Sequence, residues 1–117
     1  MSRPRVLVVE DEVEVQNVVG EVLAEEGYDV DAVGTGEAAL EAVALRPYDV
    51  VISDLRLPGV GGQTLVKEII HRWPRLAKRI ILLTGEPGEA RDSLPVIHKP
   101  FQLTDIVEAV EARISAA

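Results

Sequence analysis

The stretch VVISDLRLPGVGG, Val50 to Gly62, sets three apolar residues and a serine ahead of a single aspartate, Asp54, and then turns through Pro58, Gly59, Gly61 and Gly62. A continuous apolar run of this length suits a strand covered on both faces, as the central strand of a parallel sheet is. A carboxylate at its end, just where the chain turns back, is out of place in a core. It is in place at the carboxyl edge of an open α/β sheet, where ligand sites are built.

Outward from that strand the pattern alternates. Val6–Val9 reads as a first strand. Asp11 is expected to cap a helix whose stripe is Val15, Val18, Val19, Val22 and Leu23, with Gly27 as its stop. Tyr28–Val33 alternates as a strand. Thr35 is placed to cap a helix ending near Leu45, before Pro47, with Ala39, Leu40 and Val43 inward. Beyond the turn, Leu65, Val66, Ile69, Ile70 and Trp73 mark a third helix from Gly62, closed by Pro74. Ile80–Leu83 and Val96–His98 read as strands, and Leu103, Ile106, Val107, Val110 and Ile114 form the stripe of a last helix. Strands alternating with helices imply parallel strands joined by right-handed crossovers, a doubly wound five-stranded α/β sheet in one domain, 1–117.

Bulk composition narrows the function. A formal net charge of −8 disfavours nucleic acid as a direct partner and suits a metal ion or a basic protein surface. The absence of cysteine removes disulfides, zinc–thiolate centres and thiol catalysis, and fits a cytoplasmic setting. The first apolar run is too short for a signal peptide and is followed at once by acids, and no stretch is long enough to span a bilayer. No membrane association is expected.

At the carboxyl edge, Glu10 and Asp11 end the first strand, Thr84 the fourth and Lys99 the fifth, so these side chains are expected to meet Asp54. Two carboxylates about 4 Å apart repel by on the order of 4 kcal/mol at an effective dielectric near 20. Lys99, a bound cation or protonation must offset that. Oxygen ligands without His or Cys select a hard ion such as Mg2+, which prefers one or two carboxylates together with phosphate oxygens. A carboxylate left over can serve as nucleophile toward a phosphoryl group.

Taken in order and spacing, VLVVEDE, VISDLRLPGVGG, LLTG and HKPF resemble the receiver domain of bacterial response regulators, over the whole chain. The resemblance implies the flavodoxin-like strand order 2-1-3-4-5 and a set of roles. Asp54 would accept a phosphoryl group from a histidine kinase or histidine phosphotransfer protein. Glu10, Asp11, Asp54 and the backbone carbonyl of Arg56 would hold Mg2+, Glu10 largely through water. Thr84 would bond the phosphoryl oxygens and shift on activation, and Lys99 would pair with the phosphoryl charge, its peptide to Pro100 being cis. An altered surface would then signal to an unknown downstream protein. Such a chain is no enzyme beyond its own phosphorylation and dephosphorylation.

Two features depart from the family. Val96 stands where receivers usually carry an aromatic residue, so an aromatic flip cannot be the readout. Only fourteen residues, Gly85–His98, separate Thr84 from Lys99. The helix between the fourth and fifth strands is therefore expected to be short or missing, which would send output through another surface such as the first or last helix. Opposite charges on Arg56 and Glu86 suggest a gate over the site.

Competing readings are weaker. A Mg2+-dependent phosphatase with an aspartyl nucleophile commonly needs a second aspartate where Arg56 stands. A binding module of the same fold that is never phosphorylated leaves the acid set unexplained. GTGEAA, Gly34–Ala39, fits a dinucleotide fingerprint, but it opens the second βα unit and reads better as turn and cap. His98 and His71 lack a second imidazole partner and are read as packed or solvated residues.

Overall fold

A computed structural model describes residues 3–85 and 94–115. The elements follow the order β1 (Arg5–Val9), α1 (Val13–Glu25), β2 (Asp29–Val33), α2 (Gly36–Leu45), β3 (Val50–Asp54), α3 (Gly62–Arg72), a 3-10 turn (Pro74–Leu76), β4 (Ile80–Thr84), β5 (Val96–His98) and α4 (Leu103–Ser115). All strand pairs are parallel and the sheet order is β2-β1-β3-β4-β5, the order that the family resemblance implied. The expected short or missing helix between β4 and β5 falls on residues 86–93, outside the described residues, as does Glu86 of the suggested gate.

The continuous apolar strands are the buried ones. Every residue of β3 and β4 is buried, because helices cover both faces. Leu7, Val9, Val51 and Leu82 pack with Val43, Leu65 and Ile69 under α2 and α3, while Val6, Val8, Ile52 and Leu83 pack with Val19, Leu23, Ile106 and Val110 under α1 and α4. Period-two alternation along each strand assigns alternate residues to these two half-cores. Of the stripe read along α1, Val18 is the exception: it is 46% exposed.

Helix ends follow the local chemistry, with one correction. Thr35 Oγ1 accepts from the Ala38 N–H at 3.1 Å and caps α2, as the turn-and-cap reading of GTGEAA requires. Gly27, at φ 97°, takes the left-handed conformation that ends α1. Asp11 is not the cap of α1. The N-cap is Glu12, which makes no side-chain capping bond. Glu12 instead gives its backbone N–H to the Glu10 carboxylate at 3.2 Å, so the local hydrogen bond ties the turn to Glu10 and Asp11 is left at the rim.

Close approach accounts for Gly62, the second glycine of the pair after Asp54. A Cβ there would lie 2.8 Å from the Leu55 carbonyl carbon and closer still to the Asp54 carbonyl oxygen. The first turn of α3 therefore sits directly on the strand end that carries Asp54, and the Gly62 N–H bonds the Leu55 carbonyl at 3.2 Å.

Candidate functional site

Parallel register decides which strand ends meet. Val9 lies beside Ser53, and Asp54 beside Leu83, so Glu10, Asp54 and Thr84 follow one another along the same edge. Thr84 pairs with His98, and the Lys99 N–H continues the ladder to the Thr84 carbonyl at 2.7 Å. The Lys99–Pro100 peptide is cis, as expected.

These ends assemble a charged cluster of unusual depth. Glu10 and Thr84 are fully buried and Asp54 is 4% exposed, while Asp11 is exposed. Carboxylate oxygens of Glu10, Asp11 and Asp54 all come within 4.8 Å of one another. The Lys99 ammonium lies 2.7 Å from Asp54 Oδ2, 3.0 Å from Glu10 Oε2 and 3.5 Å from Glu12 Oε1. Asp54 Oδ1 accepts the backbone N–H of Arg56 at 2.9 Å. Glu10, Asp11, Asp54 and Lys99 are thus brought together, with Thr84 on the adjoining strand end and the Arg56 backbone tied to Asp54.

The electrostatics record the crowding. Burial, and then the hydrogen bonding and charge of Asp54, push the Glu10 carboxyl up to about 7 against the opposing pull of Lys99. Burial alone would lower the Lys99 ammonium, but its hydrogen bonds to Asp54 and Glu10 and their charges outweigh burial and hold it above the ordinary lysine range. Among the described residues, the Lys99 ammonium faces the carboxylates of Glu10, Glu12 and Asp54. The donor set of the cluster consists of oxygens from three acids at one point, the chemistry a hard divalent ion selects.

Two contributors were not legible from motif spacing. Glu12 reaches Lys99 from the turn after β1, and Gln16 in α1 donates its side-chain amide to the Glu10 carbonyl. Glu12 is the N-cap of α1 and Gln16 stands in its first turn, and each resembles an ordinary solvated position. The family's aromatic position holds Val96, partly buried and packed against the half-core under α2 and α3.

The family model for the response regulator receiver domain matches residues 6–111. The chain is 33% identical over 118 residues to the transcriptional regulatory protein PdtaR of Mycobacterium tuberculosis, covering 95% of this chain and 57% of that protein. It is 34% identical to the DNA-binding transcriptional regulator NtrC of Escherichia coli, covering 98% of this chain and 26% of that protein. It therefore spans about half or less of the length of these relatives. Among solved structures, the response regulator TrrA of Thermotoga maritima, in complex with Mg2+-BeF, superposes with a TM-score of 0.85 at 32% identity, covering 94% of this chain and 98% of that one. The non-phosphorylated receiver domain of HemR from Leptospira biflexa superposes with a TM-score of 0.86 at 28% identity, covering 98% and 97%. The chain belongs to the response regulator receiver family of two-component signalling. Among the described residues no helix is long and apolar enough to cross a membrane.

Proposed function

We propose that this receiver works in a cytoplasmic phosphorelay, in which Asp54 takes a phosphoryl group from a phosphohistidine of a histidine kinase or histidine phosphotransfer protein. The observation that carries this reading is the convergence of Glu10, Asp11 and Asp54 within 4.8 Å beside an ammonium 2.7 Å from Asp54. An Asp54 oxygen attacks phosphorus, the bond from phosphorus to the donor nitrogen breaks, and the imidazole leaves with a proton. Phosphoryl transfer of this kind needs positioning and charge neutralisation more than covalent help.

Glu10, Asp11, Asp54 and the Arg56 carbonyl would hold Mg2+. When bound, that ion neutralises developing charge on the phosphoryl oxygens. The protein supplies the rest. The Arg56 N–H fixes one Asp54 oxygen, which leaves the other to face Lys99. Lys99 then follows the charge from carboxylate to phosphoryl group. Thr84, buried at the end of β4, would turn its hydroxyl toward the phosphoryl oxygens and pass the change to the neighbouring β5, where Val96 in the aromatic's place rules out an aromatic flip. TrrA in complex with Mg2+-BeF supports the choice of ion by similarity. The chain would catalyse only its own phosphorylation and dephosphorylation, and the changed surface would signal to a downstream protein.

Incubation with a small phosphodonor and Mg2+, read by intact mass, tests this directly. The wild type gains one acid-labile phosphoryl group and Asp54→Asn gains none. Equal adducts in both proteins, or turnover of simple phosphomonoesters, would overturn the reading.

A further inference from the structure

Glu10 is held by more than the ladder. Its backbone N–H bonds the Val33 carbonyl at 3.0 Å, and its own carbonyl accepts the side-chain amide of Gln16. Gln16 is partly buried one turn into α1. Its backbone N–H bonds the Glu12 carbonyl at 3.0 Å. A Cβ at Gly34 would stand 3.7 Å from the Gln16 amide nitrogen and 3.9 Å from the Glu10 carbonyl oxygen, so the start of the β2–α2 turn closes over this bond. The turn 10–12 is thereby pinned to α1 from one side and to β2 from the other.

We infer that Gln16 is a positioning residue for the acid cluster: its amide fixes the Glu10 carbonyl, and so the direction in which Glu10 and Asp11 present their carboxylates to a divalent cation. This inference rests on the Mg2+ reading above. The physical reason is geometric. The turn must bring like charges together before a cation arrives, and their repulsion drives it open. A neutral donor on a rigid helix resists that opening without adding a charge to the site. Groups that orient ligands in this way typically change metal affinity by about 10–100-fold when removed. Gln16 acts on the Glu10 backbone carbonyl rather than on a carboxylate, so a smaller effect of about 3–10-fold is expected.

The test uses Gln16→Met, which keeps length and packing but removes the donor, with Asn17→Ala on the exposed neighbouring position as control. Mg2+ affinity is measured by calorimetry, and phosphorylation rate is measured against Mg2+ concentration with a small phosphodonor. Gln16→Met should weaken Mg2+ binding about 3–10-fold, and its rate deficit should vanish at saturating Mg2+, while Asn17→Ala matches the wild type. A purely structural role would lower the melting temperature and leave the affinity of the folded protein unchanged. That result, or a rate deficit that persists at saturating Mg2+, would overturn the inference. If the wild type binds no Mg2+ at all, the underlying reading fails instead.

Discussion

The two ends of the sheet use the same kinds of side chain in opposite proportion. Toward the amino end, Asp31 in the middle of β2 accepts the Tyr48 hydroxyl at 2.7 Å and lies 3.5 Å from Arg5 and 3.6 Å from Arg46. Asp49 caps the Arg5 N–H at 2.8 Å, and Arg75 bonds the Tyr48 carbonyl at 3.1 Å. Two guanidiniums and a phenol serve one carboxylate there. At the carboxyl end one ammonium, Lys99, faces Asp54, Glu10 and Glu12. The first arrangement is closed and needs nothing further. The second gathers carboxylates around one described ammonium, and burial, then the neighbouring Asp54, raises the Glu10 carboxyl. Carboxylates gathered at one edge suit the hard divalent ion proposed above, whereas the ion pairs at the other tie strands and a helix end together.

Lys99→Met sharpens this contrast most. Removing one partner of a largely buried pair leaves uncompensated charge, and the metal-free protein should lose about 3 kcal/mol at neutral pH. Mg2+ should restore part of that. Urea melts with and without Mg2+ measure it, and an unchanged midpoint would show that the cluster carries no net strain of charge.

Next comes pH. The folded Glu10 carboxyl titrates near 7, above its ordinary 4.5. A raised folded value means that the proton is held more tightly in the native state. The stability tied to it is present below about pH 4.5 and is lost as pH rises through about 7, on the order of 3 kcal/mol. Stability of the metal-free wild type should therefore fall across this window relative to Glu10→Gln, and Mg2+ should reduce the difference. Parallel pH profiles for the two proteins would break the account of the crowded edge.

The amino end should respond less. Tyr48→Phe removes one hydrogen bond to an aspartate that keeps its guanidiniums, for a cost of about 1 kcal/mol with no dependence on Mg2+. Burial and then the bond to Asp31 push the Tyr48 phenol up to about 12. Its contribution therefore holds below about pH 10 and fades as pH rises through about 12. Denaturant melts of both proteins at neutral and strongly alkaline pH measure this, and a Tyr48→Phe effect that depended on Mg2+ would couple the two ends.

Much of this was legible from residue order alone, because period and punctuation are local. The apolar run ending at Asp54, the caps at Thr35 and Gly27, and the strand ends carrying Glu10, Thr84 and Lys99 all follow from spacing. Other features depend on contacts between distant segments. Asp11 looked like a helix cap, but the turn prefers a bond from the Glu12 N–H to the Glu10 side chain, a choice made by the buried position of Glu10. The role of Gln16 needs β2 and α1 to meet at the Glu10 carbonyl. The charge network of the amino end joins residues up to 44 apart in the chain, beyond any local pattern.

The central claim is that the acids at the carboxyl edge form a site for a divalent cation, and calorimetric titration of Mg2+ tests it most directly. The account predicts one saturable site in the wild type, lost in Asp54→Asn and weakened in Asp11→Asn, and unchanged in Asp31→Asn at the opposite end of the sheet. A wild type that takes up no Mg2+ at millimolar concentration, or an Asp31→Asn protein that loses it as Asp54→Asn does, would contradict the claim.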